Sequence, residues 1–261
     1  MTFAIACVDC GTVVAPDDGR ALCAICGGLL DFTYDLGAVA FDDREASIWR
    51  YRDLLPVARD VEPVTLGEGR TPLVRARLDV GAETWWKNES LNPSGSQKDR
   101  AMSVALTRAR AIGIGAVFVA SAGSTALAAA AYAARAGIQC TVLVGEESPE
   151  RRLLPIAAYG PRIFRVGGSV DDALDLLDRA VREIGLHDVS TRRATNPAQA
   201  EGPKTIAYEI VEDLGRVPDW VVVAAGGGGT LAAIHRGFGE LRAMGRTDRL
   251  PRLVSYQPTG Y

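Results

Sequence analysis

Trp220-Val-Val-Val-Ala-Ala225-Gly-Gly-Gly-Gly229-Thr230-Leu-Ala-Ala-Ile234 passes from an apolar, β-branched run through four glycines into residues that begin a helix. A strand that turns on glycine into a helix is the building unit of a parallel sheet with helices packed on its faces. Backbone without side chains can wrap an oxyanion at such a turn. The helix start adds unpaired N–H groups and the positive end of the helix dipole. The stretch reads as a phosphate cup. It is not the dinucleotide fingerprint, because the third glycine position after Gly226 and Gly228 holds Leu231, and it lacks the closing Gly-Lys-Ser/Thr of a Walker loop. A glycine turn used only for close packing is the plainer alternative.

Working outward, strand-like runs recur at Ala116–Ala120, Gln139–Val144, Arg162–Val166, Trp220–Ala225 and Leu253–Tyr256. Helical periodicity lies between them at Lys98–Ile112, Thr125–Ala136, Val170–Ile184, Pro203–Leu214 and Thr230–Met244. In the third of these, Val170, Leu174, Leu177, Val181 and Ile184 share one face, with Asp and Arg on the other. Strands alternating with helices predict an α/β fold with doubly wound parallel sheets. Ligands in such sheets bind where strands end and helices begin. A second turn of this kind, Ser121-Ala122-Gly123-Ser124-Thr125, follows the strand ending at Ala120. Small hydroxyl residues at a helix start can receive a carboxylate, although they are also ordinary N-caps.

The N-terminal part is of another kind. Cys7-Val-Asp-Cys10-Gly and Cys23-Ala-Ile-Cys26-Gly-Gly each place two thiolates on a tight turn, with glycine allowing the backbone to curl toward sulfur. Two such knuckles make a four-sulfur tetrahedral site, the geometry of structural Zn2+. Small buried thiols are the alternative, and a redox pair lacks its strand-to-helix context. Cys140 stands apart in an apolar run and reads as an inert core residue. Residues 27–65 read as a connector with a short amphipathic element around Ala46–Leu55.

The 261 residues carry a formal net charge of −3 with basic residues scattered among acids, which gives no reason to expect nucleic acid or an anionic membrane as partner. The N-terminus lacks a basic start before its apolar stretch, and Ala126–Ala136 is too short to span a bilayer. The expected location is cytoplasmic, where cysteines stay reduced. The two histidines, His187 and His235, offer little to a hydrolase triad.

A third motif names a family. Asn92-Pro-Ser94-Gly-Ser-Gln97-Lys98-Asp-Arg100 resembles the lysine motif of the pyridoxal-phosphate-dependent enzymes that include threonine synthases and serine/threonine dehydratases, the tryptophan-synthase-β fold or fold-type II. Gly67-Glu-Gly-Arg-Thr-Pro-Leu73 is similar to that family's entry segment, Ser121–Thr125 to its substrate-carboxylate loop, and Gly226–Thr230 to its cofactor-phosphate loop, in family order across Leu66–Pro258. The four cysteines and Glu201-Gly-Pro-Lys-Thr-Ile-Ala-Tyr-Glu209 tilt the resemblance toward threonine synthase. The resemblance implies Lys98 as the cofactor-bearing, proton-shuttling residue. It implies Gly226, Gly227, Gly228, Gly229, Thr230 and Ser124 as further cofactor contacts. Ser94, Ser121, Ala122, Gly123, Ser124 and Thr125 are the implied substrate contacts, with a small amino acid as substrate. The domains implied are a zinc-ribbon-like module at 1–36 and the enzyme region at 37–261. Within the latter, about 98–185 would form a small movable domain, and 60–97 with 186–261 part of a larger one.

Three features depart from the family. Ser124 stands where Asn is usual, Gln97 where an aromatic residue is common, and the chain stops at Tyr261 where family members continue. The implied reaction is phosphate elimination from O-phosphohomoserine and water addition to give threonine. A serine/threonine dehydratase is the alternative, and a non-catalytic or partner-dependent subunit is a third reading. The stop at Tyr261 leads us to expect a homo-oligomer or a partner chain covering the strand Leu253–Tyr256.

Overall fold

The computed structural model describes residues 3–78, 80–257 and 259. Pro258 and the stop at Tyr261 lie outside them. The N-terminal module is a three-stranded antiparallel sheet in the order β2-β1-β3, from β1 (Phe3–Cys7), β2 (Val13–Val14) and β3 (Leu30–Tyr34). Alternation sets its faces: Phe3, Ile5 and Cys7 of β1 and Leu30 and Phe32 of β3 turn inward. That face packs against Ile48, Trp49, Leu55 and Val57, and against Val104 and Ala198 of the enzyme-like region. Residues 27–65 are thus more than a connector, since they hold β3 and a 3₁₀ segment at Ile48–Leu54. The short alternating run Leu30-Asp-Phe-Thr-Tyr34 pairs along its whole length with β1, a partnership that only the folded chain reveals.

An antiparallel pair, β4 (Leu73–Ala76) and β5 (Thr84–Lys87), leads to α1 (Lys98–Ala111). Three strands then form a parallel sheet in the order β6-β7-β8: β6 (Ala116–Ala120), β7 (Gln139–Gly145) and β8 (Arg162–Val166). The crossovers are α2 (Ser124–Ala136) and α3 (Glu150–Ala157), and α4 (Val170–Ile184) follows β8. A segment at His187–Val189 runs parallel to β6 on its other side, with Phe118 N–H donating to the His187 carbonyl at 2.9 Å and Val189 N–H to the Phe118 carbonyl at 2.8 Å. Then come α5 (Thr205–Leu214), β9 (Trp220–Ala224), α6 (Gly229–Ala243) and β10 (Arg252–Tyr256). Among the described residues β10 pairs, in parallel, with β9 alone. This is the α/β architecture with parallel sheets that the alternating pattern predicts.

The principal core lies between α1, α2 and β6–β7, where Met102, Leu106, Val117, Val119 and most alanines of α2 are buried together. Burial of a side chain such as Leu106 contributes about 1.5–3 kcal/mol. The alanines let α2 lie close to its neighbours, and Gly137 at φ 70° ends the helix in the left-handed region that favours glycine. At α6, a Cβ on Gly237 would collide with the Lys204 backbone, so this glycine lets α6 settle on α5 and fixes the far wall of the site.

Candidate cofactor-binding site

Lys98 is the first residue of α1. The turn before it is held by Gly95 N–H donating to the Asn92 carbonyl at 2.8 Å, by Ser94 N–H donating to Asp99 Oδ2 at 2.9 Å, and by Lys98 N–H donating to Ser96 Oγ at 3.2 Å. The same first turn of the helix is anchored by Arg100, fully buried and paired with Glu209 at 2.5 Å and Glu89 at 2.7 Å. Lys98 is therefore presented from a fixed base. The chain has three lysines. Lys87 is paired with Glu209 and Asp213, and Lys204 with Glu201 and Glu240. Lys98 alone makes no ion pair among the described residues. Burial pushes its amine below the usual lysine value, which favours the neutral, nucleophilic form.

The glycine turn between β9 and α6 faces it. Lys98 and Gly226–Thr230 line one cavity of about 800 Å³, whose wall also includes Gln97, Thr191, Arg192, Arg193, Gln199, Pro203, Arg236 and Asp31 of the N-terminal sheet. Gly228 sits at φ 76°, so glycine is demanded there by the backbone. At Gly227 and Gly229 an added Cβ would meet nothing within 4 Å, so internal packing does not demand the missing side chains. They leave a cradle. Gly229, Thr230 and Leu231 form the first turn of α6, whose N–H groups have no carbonyl one turn earlier to receive them. A desolvated amine without an acidic partner, facing an open cradle of helix-start N–H groups, fits an aldehyde-bearing phosphate ester such as pyridoxal phosphate.

The loop expected to take the substrate carboxylate sits differently. Ser121, Ala122 and Gly123 continue from β6, with Ser121 N–H donating to the Leu143 carbonyl at 3.0 Å, and Ser124 and Thr125 open α2. These five residues and Ser94 lie outside the cavity wall. The link to Lys98 runs through Thr191, whose Oγ1 receives Lys98 Nζ at 3.3 Å and lies 3.5 Å from Thr125 Oγ1. Of the two departures inside the motifs, Ser124 is exposed, and Gln97 is half-buried with its Oε1 lacking a partner.

Sequence reasoning missed Thr191, Asp31, Arg193 and Arg236. Asp31 receives Arg193 Nη2 and Arg236 Nη1, each at 2.7 Å, while Arg236 also pairs with Glu201 and Glu240. Burial would raise the Asp31 carboxyl, but the two guanidiniums hold it below the usual carboxylate range. Asp31 lies 205 residues from Arg236, and no local pattern announces such a pair. His187 is half-buried and His235 exposed, and neither lines the cavity.

In the N-terminal sheet the Sγ atoms of Cys7, Cys10, Cys23 and Cys26 all lie within 4.8 Å of one another, with Cys7–Cys26 at 3.5 Å and Cys10–Cys23 at 3.7 Å. A tetrahedron with Zn–S of about 2.3 Å has edges of about 3.8 Å, so the thiols fit one zinc ion. Both knuckles close as the trailing glycines suggest: Gly11 N–H donates to the Cys7 carbonyl at 3.0 Å and Gly27 N–H to that of Cys23 at 2.9 Å. Cys140 is buried in the core, and burial pushes its thiol up to about 12.

The threonine synthase of Methanocaldococcus jannaschii is 38% identical over 97% of this chain and 65% of its own length. That of Mycobacterium bovis is 41% identical over 80% of this chain and 59% of its own. This chain thus spans about three-fifths to two-thirds of these relatives' length. Among solved structures, O-ureido-L-serine synthase superposes with a TM-score of 0.61 at 28% identity, covering 73% of this chain and 61% of that one. Maize serine racemase, at 22% identity and TM-score 0.62 over 74% of this chain and 57% of that one, shares the fold. A family profile described as pyridoxal-phosphate dependent enzyme matches residues 64–261, which contain Lys98 and the glycine cradle, and the chain belongs to that family.

Proposed function

We propose that this chain forms the cofactor-binding part of a threonine-synthase-type lyase, acting on O-phosphohomoserine by elimination of phosphate and addition of water to give threonine. The observation that carries the reading is one cavity lined by both the unpaired Lys98 and the Gly226–Thr230 cradle, in a chain similar to threonine synthases over nearly its whole length. Pyridoxal phosphate, when bound, supplies an electron sink that weakens bonds at the substrate α-carbon. The chain's own residues supply the rest. The cradle and the first turn of α6 hold the cofactor phosphate. Lys98 Nζ anchors the cofactor and, with burial lowering its pKa below the usual lysine value, takes and returns a proton. The α2 N-terminus at Ser124 and Thr125 receives the amino-acid carboxylate. The four thiols of the N-terminal sheet hold one zinc ion in a structural role.

The test is product analysis on the purified chain with pyridoxal phosphate. Inorganic phosphate and threonine should appear together from O-phosphohomoserine. Keto acid from threonine, without phosphate release, would instead favour a dehydratase. Bound cofactor without turnover of either compound would favour a subunit that needs a partner.

A further inference from the structure

We propose that Thr191 is a positioning residue for Lys98, with its hydroxyl aiming the lysine amine at the cofactor and coupling it through Thr125 to the start of α2. The proposal rests on Lys98 being the cofactor lysine. Lys98 Nζ has one hydrogen-bond partner among the described residues, Thr191 Oγ1 at 3.3 Å. That oxygen lies 3.5 Å from Thr125 Oγ1 at the first turn of α2. A hydroxyl can accept from a charged amine and donate to a neutral one, so Thr191 serves Lys98 in both protonation states. Two hydroxyls in series also let a change at the α2 N-terminus, where a carboxylate is expected to dock, reach Nζ.

Thr191 is well placed to do this because its segment is rigid. The Val189 N–H donates into β6 at 2.8 Å, the Ala120 N–H donates to Ser190 Oγ at 3.1 Å, and the Ser190 N–H donates to Asp188 Oδ1 at 2.6 Å. On its other side Arg192 grips Asp178 of α4 through two bonds of 2.7 and 2.6 Å and Asp188 at 3.0 Å. Thr191 thus stands at the end of a parallel segment beside β6, where ligands meet such sheets.

Of the charged groups around Lys98, Asp31 of β3 is held by Arg193 and Arg236, and Arg192 by Asp178 and Asp188. Asp99 on α1 receives the Ser94 N–H through Oδ2 and keeps a buried Oδ1 without a partner among the described residues. The Thr191 hydroxyl is the one described group within hydrogen-bond distance of the amine, and it sets the amine's direction and helps hold its charged form.

The experiment follows covalent uptake of pyridoxal phosphate by the whole chain, as visible absorbance against pH, in the native protein and in Thr191→Val and Thr191→Ser. Valine keeps the shape and removes the hydroxyl. Loss of an acceptor for the charged amine should move the pH midpoint of uptake down by about half a unit or more, and loss of aim should cut the limiting rate about tenfold. Serine should restore both. Should both variants slow uptake with the native midpoint, Thr191 merely packs, and the proposal is overturned. Native rate and midpoint in Thr191→Val would overturn it as well. A native protein that takes up cofactor on a residue other than Lys98, or not at all, removes the reading on which the proposal rests, an outcome distinguishable from the others before any variant is compared.

Discussion

Residues 3–34 and the layer formed by α1, α2, β6 and β7 reach order by different means. The N-terminal sheet buries a handful of side chains, chiefly Phe3, Ile5, Leu30 and Phe32, has a strand of two residues, and gathers four thiols at one end. The helical layer gathers no such ligands and is held by apolar packing, with α1 buried from Asp99 to Ala109 and α2 lined with alanine. A small sheet with so thin a core needs a further constraint, and a metal held by the four thiols would supply one. The difference teaches that one half should answer to chelation and the other to cavities.

The largest expected effect follows from this. Structural zinc in comparable small sites contributes about 10–16 kcal/mol of apparent binding free energy. Cys23→Ser, or a strong chelator, should abolish metal retention and loosen residues 3–34, with the α1–α2 layer staying protected from hydrogen exchange. Metal analysis of native protein purified without chelator should find about one zinc per chain. Equal loss of protection in both regions would show that the sheet and the helical layer are held by the same means.

In the opposite direction, Leu106→Ala leaves a cavity in the helical core and should cost about 2–5 kcal/mol in denaturant unfolding, with zinc content unchanged. Asp31, a residue of the thiol-bearing sheet, holds Arg193 and Arg236 at the cavity. Asp31→Ala leaves both guanidiniums without that partner and should cost about 1–3 kcal/mol, together with weaker cofactor retention by equilibrium dialysis. Unchanged retention would show that the sheet merely abuts the site. Smaller still, Gly228→Ala forces a Cβ into the left-handed region at a cost of about 1–2 kcal/mol, and it should weaken phosphate binding more than it weakens the fold.

The contrast extends to what the sequence discloses. The helix Val170–Ile184 is found at both predicted ends because local chemistry sets them: Ser169 and Asp172 form a capping box, and Gly185 ends it at φ 70°. The strands Ala116–Ala120 and Arg162–Val166 are equally local. The pair Leu73–Ala76 and Thr84–Lys87 is four residues a side, too short for a period to show, and Pro155 interrupts the pattern of Glu150–Ala157. At the site, the presence of Lys98 and the cradle in one cavity follows motifs contiguous in the chain. Thr191 and Asp31 do not, because each acts through a partner remote in sequence: Lys98 for Thr191, and Arg193 and Arg236 for Asp31. The cysteine spacing announces the thiol cluster while concealing the strands that carry it.

Burial of Lys98 also gives a pH signature. Its amine titrates below the usual lysine value, so cofactor uptake should rise with pH and level off before an exposed lysine would have deprotonated. A profile still rising through the ordinary lysine range would argue against a desolvated nucleophile.

Lys98 is the cofactor lysine in this reading, and a chain with three lysines lets the adduct be assigned without ambiguity. Lys87 and Lys204 are held in ion pairs, while Lys98 makes none among the described residues. The measurement is borohydride reduction of the chain after incubation with pyridoxal phosphate, followed by peptide mapping, in parallel with Lys98→Ala. The account requires a single adduct on Lys98 and none in the variant; an adduct on Lys87 or Lys204, or equal labelling of the variant, would contradict it.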